Sequence, residues 1–383
     1  MRSFVVVYGV AALAWLVLRE ATLRLRYVLL IAIALRALLF VPEPRLSGDV
    51  YRYLWDGKVL AYGVNPYRYA PDDERLSHLR EPWHARINHP ELRTIYPPHA
   101  QLLFALVHQL WSWRLLLIGA DLVAIVLLRR HGLAYATFPL LLFEGTWSGH
   151  VDALAAALMT VAHCGVALGI AGGLKVIPLA TVPALIARSR SRVRFVIALA
   201  LTLALPLLLF AGGPLMPGMR DYATRWIFNS PAYALVHAIV ERIPLATIWT
   251  HHPLRFEAIS NLVYRHLHAD LVTRCVLATL AMAAVLLARR VSSALGWFLL
   301  LTPTVHPWYW LVVVPPALVE RSRWIFVALC APFSYWLYEG APPLAIYALC
   351  YLTPILLSAC ASSAAAARPR RFRSRTAGDA SPS

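Results

Sequence analysis

Residues 115–171 read LLLIGADLVAIVLLRRHGLAYATFPLLLFEGTWSGHVDALAAALMTVAHCGVALGIA. Three apolar blocks, 115–128, 133–147 and 151–171, are set apart by the pair Arg129/Arg130 and by a polar turn running from Glu144 to Asp152. Hydrocarbon rejects charge and offers backbone groups no water, so blocks of this kind become helices that enter or cross a bilayer. A basic pair between blocks marks the cytoplasmic side, which places the polar turn on the other side.

Further apolar segments lie outward of this stretch, at 4–18, 27–41, 98–112, 174–187, 195–213, 270–288, 294–303, 308–320, 324–338 and 344–361. Several are shorter than the ~20 residues of a full span. Short or proline-interrupted helices are tolerated where they line a protein cavity. Only 14% of the 383 residues are charged, against roughly 25% in a soluble domain. The net charge of +17 would point to nucleic acid in a soluble chain. Here the arginines sit in short connections between apolar blocks, so anionic membrane lipid is the expected partner and nucleic acid is not.

The run from Phe4 to Leu18 is followed at once by a second apolar run, which makes it an anchor helix rather than a removed leader. The basic groups are Arg24/Arg26, Arg129/Arg130, Arg188 to Arg194, Arg289/Arg290, Arg321/Arg323 and the tail from Arg368 to Arg375. Placing all of them in the cytoplasm puts loops 42–95 and 214–269 outside, together with the turns 145–150, 304–307 and 339–343. Segment 98–112 is then a re-entrant or surface helix on the outer side, and 174–187, with Pro178 and Pro183, one on the inner side. The expected fold is all-α, a single polytopic membrane domain over residues 1–361 with about 11 transmembrane helices. A disordered basic cytoplasmic tail covers 362–383. Five cysteines form no CxxC pair and imply no disulfide framework. No internal repeat, Walker pattern or GxGxxG pattern is present.

Chemistry gathers in three places. The loop at 47–98 is long and dense in Tyr, Trp, Asp, Arg, Asn and Pro, and long ordered loops are usually functional. Asp49 and the secondary acidic candidate Asp56 are seven residues apart and share a face if 49–61 is helical. Beside Arg52 such a carboxylate stays ionised, which suits a general base that takes a proton from a sugar hydroxyl. Capping of a helix that starts at Val50 is the alternative role for Asp49. The second place is the turn Phe143 to Asp152, where His150 and Asp152 are too few to hold a metal and Asp152 also suits a helix N-terminus. The third is Leu301 to Trp310, where two prolines flank His306, a break that is costly in lipid unless it faces a cavity. Arg36, Asp121 and Glu144 lie inside apolar blocks, as functional groups or as a structural pair of Arg36 with Asp121. His251/His252 and His266/His268 read as loop residues.

Four motifs in order carry a family likeness. The run Asp49-Val50-Tyr51-Arg52-Tyr53, Gly63-Val64-Asn65-Pro66-Tyr67 and Ile95-Tyr96-Pro97-Pro98 resembles the first loop of GT-C membrane glycosyltransferases. It looks closest to the polyprenol-phosphate-mannose-dependent mannosyltransferases of the bacterial glycosyltransferase 87 kind. Gly149-His150-Val151-Asp152, Trp226-Ile227-Phe228-Asn229 and Thr302 to Tyr309 resemble further elements of that family. The resemblance implies a GT-C-like arrangement, a polyprenyl-phosphate sugar donor, a glycan or glycolipid acceptor, and inversion at the anomeric carbon. It also implies a plasma-membrane enzyme with an extracytoplasmic active site. Asp49 matches the family's first-loop acid, but Tyr51 replaces the second carboxylate of the Asp-x-Asp form, so no metal and no other cofactor is expected.

The transfer chemistry assigns the remaining candidates. A departing lipid phosphate needs cations or donors, for which Arg52, His150, His306 and Tyr309 are candidates. Trp55, Asn65, Tyr67, Tyr96 and Asp152 are candidates for holding sugar or acceptor groups. The competing class is a transporter or flippase, also polytopic with buried charges and broken helices, which would favour inverted repeats.

Overall fold

A computed structural model describes residues 2–211, 213–243 and 268–366. His251, His252, His266, the tail 367–383 and part of the second loop lie outside the described residues. Among the described residues the protein is all-helical, with no strand. Two short helices lead, α1 (Arg2–Leu18) and α2 (Leu25–Phe40), and the first loop begins with α3 (Asp49–Ala61). Next come α4 (Pro98–Leu106), α5 (Leu110–Leu128) and α6 (Gly132–Ala136), then a π-helical turn over Leu141–Trp147. The middle of the chain holds α7 (Asp152–Met159), α8 (Gly165–Leu174), α9 (Val182–Arg188) and α10 (Arg192–Leu208). After these come α11 (Pro217–Arg225), α12 (Pro231–Val240), α13 (Ala269–Leu287) and α14 (Val291–Leu300). The chain closes with α15 (Val314–Val319), α16 (Trp324–Cys330), α17 (Pro343–Tyr347) and α18 (Thr353–Ala366). Helix α18 therefore runs past residue 362, where the sequence reading began the disordered tail.

Two stretches, Leu110–Ala136 and Ala269–Leu287, are long and apolar enough to cross a membrane. The outward faces agree in character. Val17 is 80% exposed, Leu38 74%, Leu208 70% and Leu287 81%, on α1, α2, α10 and α13. A water-soluble bundle turns such faces inward; contiguous apolar exposure of this kind marks a lipid or protein contact. The nine residues of α4 span about 14 Å at 1.5 Å per residue, too short to cross, and α4 packs against α3 at the start of the first loop.

One expectation is corrected. The apolar stretch 151–171 is not a single helix: α7 ends in a turn at 160–164, held by hydrogen bonds from Val161 N to Leu158 O and from Cys164 N to Val161 O. Helix α8 then brings the chain back, so that Lys175 Nζ lies 3.3 Å from Asp152 Oδ2. Segment 174–187 therefore starts beside the polar turn that holds Asp152. It ends at Arg188, whose guanidinium meets Glu320 at 2.9 Å. Pro178 and Pro183 sit in the first turns of their helices, where a missing N–H costs nothing, so they allow the chain to run on.

Of the buried charges left open between function and structure, Arg36 and Asp121 form a structural pair, while Glu144 lies against His150. Arg36 of α2 contacts Asp121 of α5 through Nε and Nη2, and its Nη1 donates to the carbonyls of Ala32 and Ala136. Every nitrogen of that guanidinium has an acceptor.

Candidate active site

The chain entering α3 passes so close to a neighbouring strand of loop that a Cβ on Gly48 would lie 2.7 Å from the carbonyl oxygen of Arg86. Glycine at that point lets α3 begin against the loop, and Asp49 is the first residue of the helix. The capping alternative for Asp49 is not what the structure contains. Gly48 is the N-cap, and the Asp49 carboxylate instead accepts a hydrogen bond from Asn88 Nδ2 at 2.8 Å.

Asp49 faces a cavity of about 430 Å³ that it shares with Arg52, Tyr96, Lys175, His306 and Tyr309. Segments far apart in sequence meet here. The second loop is pinned to the 303–305 turn by hydrogen bonds from Phe228 N to Pro303 O and from Val305 N to Phe228 O. The same contact is reinforced by Thr304 Oγ1, which donates to Trp226 O at 2.7 Å. Gly149 holds φ at +76°, a left-handed conformation that favours glycine, and its carbonyl accepts from Trp113 Nε1 at 2.7 Å. That turn sets His150 behind the cavity wall, with Nδ1 3.8 Å from Asp49 Oδ2 and Nε2 3.3 Å from Glu144 Oε2. A fully buried imidazole thus stands between two carboxylates.

Aromatic rings stack across the wall. His150 lies on Trp308 with centroids 4.1 Å apart, Trp308 on His306 at 4.5 Å, His306 on Phe228 at 4.7 Å, and Phe228 on Tyr338 at 4.7 Å. The column fixes both imidazoles, and the Trp308 indole N–H is buried without a hydrogen-bond partner. Tyr309 shares a short hydroxyl contact with Tyr222, which also lines the cavity.

Charge is distributed unevenly. Burial raises the Asp49 pKa, but His150, the Asn88 hydrogen bond, Lys175 and His306 together outweigh it, and the carboxyl stays below its ordinary value. Asp49 is ionised at neutral pH. Burial drives the His306 imidazole down to about 3 despite the pull of Asp49, so His306 is neutral and acts as a hydrogen-bonding group, not a cation. Its Nδ1 is 3.3 Å from the Tyr338 hydroxyl. A second cation in the site is Lys175, over the ring of Tyr309 at 4.6 Å and of Tyr96 at 5.5 Å and paired with Asp152 at 3.3 Å.

The candidate residues divide into three sets. Asp49, Arg52, Tyr96, His306 and Tyr309 line the cavity. His150 and Asp152 are wholly buried just behind it. Asp56, Trp55, Asn65 and Tyr67 are elsewhere. Seven residues of helix carry Asp56 about 10 Å below Asp49, where Arg52 Nε donates to it at 2.9 Å and Gln101 at 3.2 Å. Arg52 therefore reaches the cavity already paired, with only Nη2 buried and unbonded. Trp55 packs edge-on to His84, Tyr67 donates to the Tyr96 carbonyl at 2.7 Å, and Asn65 accepts from the Tyr67 amide at 2.9 Å. These three shape the loop and do not face the cavity. Among the described residues no group of three or more metal-ligating side chains is arranged to hold an ion.

Lys175 is the functional candidate that sequence reasoning missed. A signal existed: the chain has only two lysines among its 36 cationic residues, Lys58 and Lys175. Lys58 pairs with Glu81 at 2.5 Å away from the cavity, which leaves Lys175 as the one lysine at the site. Comparison with family models, with curated proteins and with solved structures found no match to this chain.

Proposed function

We propose that this protein is an inverting membrane glycosyltransferase of the GT-C kind, moving a sugar, mannose by resemblance, from a polyprenyl phosphate to an acceptor hydroxyl. The reading includes a polytopic arrangement of about 11 crossings in the plasma membrane, with the cavity on the extracytoplasmic face. What supports it best is the meeting, in one cavity, of an ionised Asp49 with the ammonium of Lys175. Transfer needs a base on the acceptor side and a cation on the leaving-group side.

In this scheme the acceptor oxygen attacks the anomeric carbon while its proton passes to the Asp49 carboxylate. The bond from that carbon to the phosphate oxygen breaks, and the polyprenyl phosphate leaves with the electron pair. Lys175 and the free Nη2 of Arg52 meet the developing phosphate charge, and neutral His306 and the Tyr309 hydroxyl supply hydrogen bonds. His150 orients Asp49 from behind, held in turn by Glu144 and the Trp308 ring.

The test is to incubate membranes containing the protein with several labelled polyprenyl-phosphate sugars and identify the product. A new glycosidic product formed by the wild type and absent with Asp49→Asn is the expected result. Label that crosses the bilayer with no covalent product would replace the enzyme by a flippase.

A further inference from the structure

A second cavity, of about 380 Å³, lies at the other end of the bundle. Helix α5 carries Arg114, which bonds the carbonyl of Trp147 beside the first cavity, and ends at Leu128 about 21 Å further along its axis, two residues before Arg130 at this hollow. The wall combines Trp15 and Arg19 at the end of α1, Arg130 after α5, Arg321 and Arg323 between α15 and α16, and Phe326 of α16. Four guanidinium groups from three separate connections thus face one hollow whose lining has a single carboxylate, Glu20.

Those cations are poorly satisfied. Arg19 Nε is buried with no hydrogen-bond partner, and the nearest oxygen of Glu20 is 3.9 Å away. Its guanidinium carbon rests over Phe326 at 4.9 Å and Trp15 at 5.7 Å, which orients the fork without neutralising it. Arg130 donates only to His131, at 3.2 Å. Among the described residues Arg321 and Arg323 have no acidic partner. Some arginines elsewhere do find acids: Arg75 pairs with Asp73, Arg86 with Glu43, Arg188 with Glu320 and Arg274 with Asp270. Like charges gathered in one hollow repel, and an anion seated among them removes that cost.

We propose that this hollow binds a phosphate group, carried by the headgroup of an anionic membrane lipid. Guanidinium forks match phosphate oxygens in pairs, and basic hollows between helices on this side of a membrane protein suit lipid headgroups. The helices beside it expose Leu18 at 43% and Ile355 at 61%, apolar surface along which acyl chains lie once the headgroup is seated. The site is independent of the transferase reading and holds whether or not the outer cavity is catalytic.

Native mass spectrometry of the purified full-length protein tests it, with dioleoylphosphatidylglycerol, dioleoylphosphatidylcholine and inorganic phosphate as probes. The wild type should retain one phosphatidylglycerol at least tenfold more tightly than phosphatidylcholine. Arg321→Gln with Arg323→Gln should weaken that retention at least tenfold, and the corresponding double lysine change should recover part of it. Arg24→Gln with Arg26→Gln, a basic pair outside the hollow, should leave it unchanged. Displacement of the lipid by equimolar inorganic phosphate would keep the phosphate site and reassign its source to a soluble ion. Equal retention by the wild type and the Arg321/Arg323 glutamine variant, or equal retention of the two lipids, would overturn the proposal.

Discussion

Two sets of charge are held inside this helical bundle, and they are built in opposite ways. Arg36 and Asp121 meet between α2 and α5, and every nitrogen of the guanidinium has an oxygen to donate to. Asp49, Lys175 and Arg52 gather around an open cavity with Asp152 behind its wall, and two of their polar atoms have no partner in the protein: Oδ1 of Asp152 and Nη2 of Arg52 are buried and unbonded, while Asp152 Oδ2 pairs with Lys175 at 3.3 Å. A closed pair holds helices together. Unsatisfied groups around a cavity are kept at a cost that a ligand removes. A charge in an apolar block is therefore not by itself a sign of function: Asp121 also keeps one buried oxygen, Oδ1, without a partner, and what separates the two sets is that one is packed between helices and the other opens on a cavity.

The comparison can be broken most sharply by isosteric changes on each side. Asp49→Asn should lower transfer by about 10²–10⁴-fold, the range of a lost general base, while the melting temperature in detergent moves by only a few degrees. Asp121→Asn should do the reverse. Leaving Arg36 buried beside a neutral partner costs about 3–5 kcal/mol, read as a large drop in melting temperature. The double change Arg36→Leu with Asp121→Leu should recover most of that stability, since no uncompensated charge remains. If Asp121→Asn abolished transfer without touching stability, the division between the two sets would be wrong.

The lysines give a smaller contrast. Lys175→Gln should reduce kcat/KM for the polyprenyl-phosphate sugar by roughly 10–100-fold, the value of one charged hydrogen bond. Lys58→Gln, which breaks only the contact with Glu81 outside the cavity, should stay within about twofold, the range of a surface pair. The smallest effect concerns His306. Its imidazole titrates near 3 in the folded protein against an ordinary 6.5, so between those values the unfolded chain binds the extra proton and stability falls as pH falls. Acidification from pH 7 to pH 5 should therefore cost the wild type about 2 kcal/mol through this group, and His306→Asn should remove that part of the pH dependence of the melting temperature.

Much of the architecture is readable from residue order alone. The polar turns at 145–150 and 304–307 do meet beside the first loop, because basic connections and apolar block lengths constrain which ends lie together, but segment 98–112 splits into the short α4 and the start of α5 at Leu110. The sequence leaves Arg36 and Asp121 open between functional groups and a structural pair; the contact between α2 and α5 decides for the pair. The half-turned path through α7 and α8 is hard to read, since only Thr160 and His163 interrupt the apolar run where the turn at 160–164 reverses the chain. Lys175 was lost with it. The first loop misled in the other direction. Trp55, Asn65 and Tyr67 look like ligand contacts because the loop is rich in aromatic and amide groups, but helix geometry and the Tyr96 carbonyl turn them to packing. The column His150–Trp308–His306–Phe228–Tyr338 draws on four chain segments, and no spacing along the sequence encodes that stacking.

The most direct test loads the site first and starts the chemistry second. Purified protein is saturated with labelled polyprenyl-phosphate mannose, freed of excess donor, and chased with acceptor in a single turnover. Wild type should convert its bound label to product, Asp49→Asn should retain the donor and convert almost none, and Lys175→Gln should fail to load. Conversion by Asp49→Asn at the wild-type rate, or normal loading by Lys175→Gln, would contradict the assignment of base and phosphate cation to this cavity.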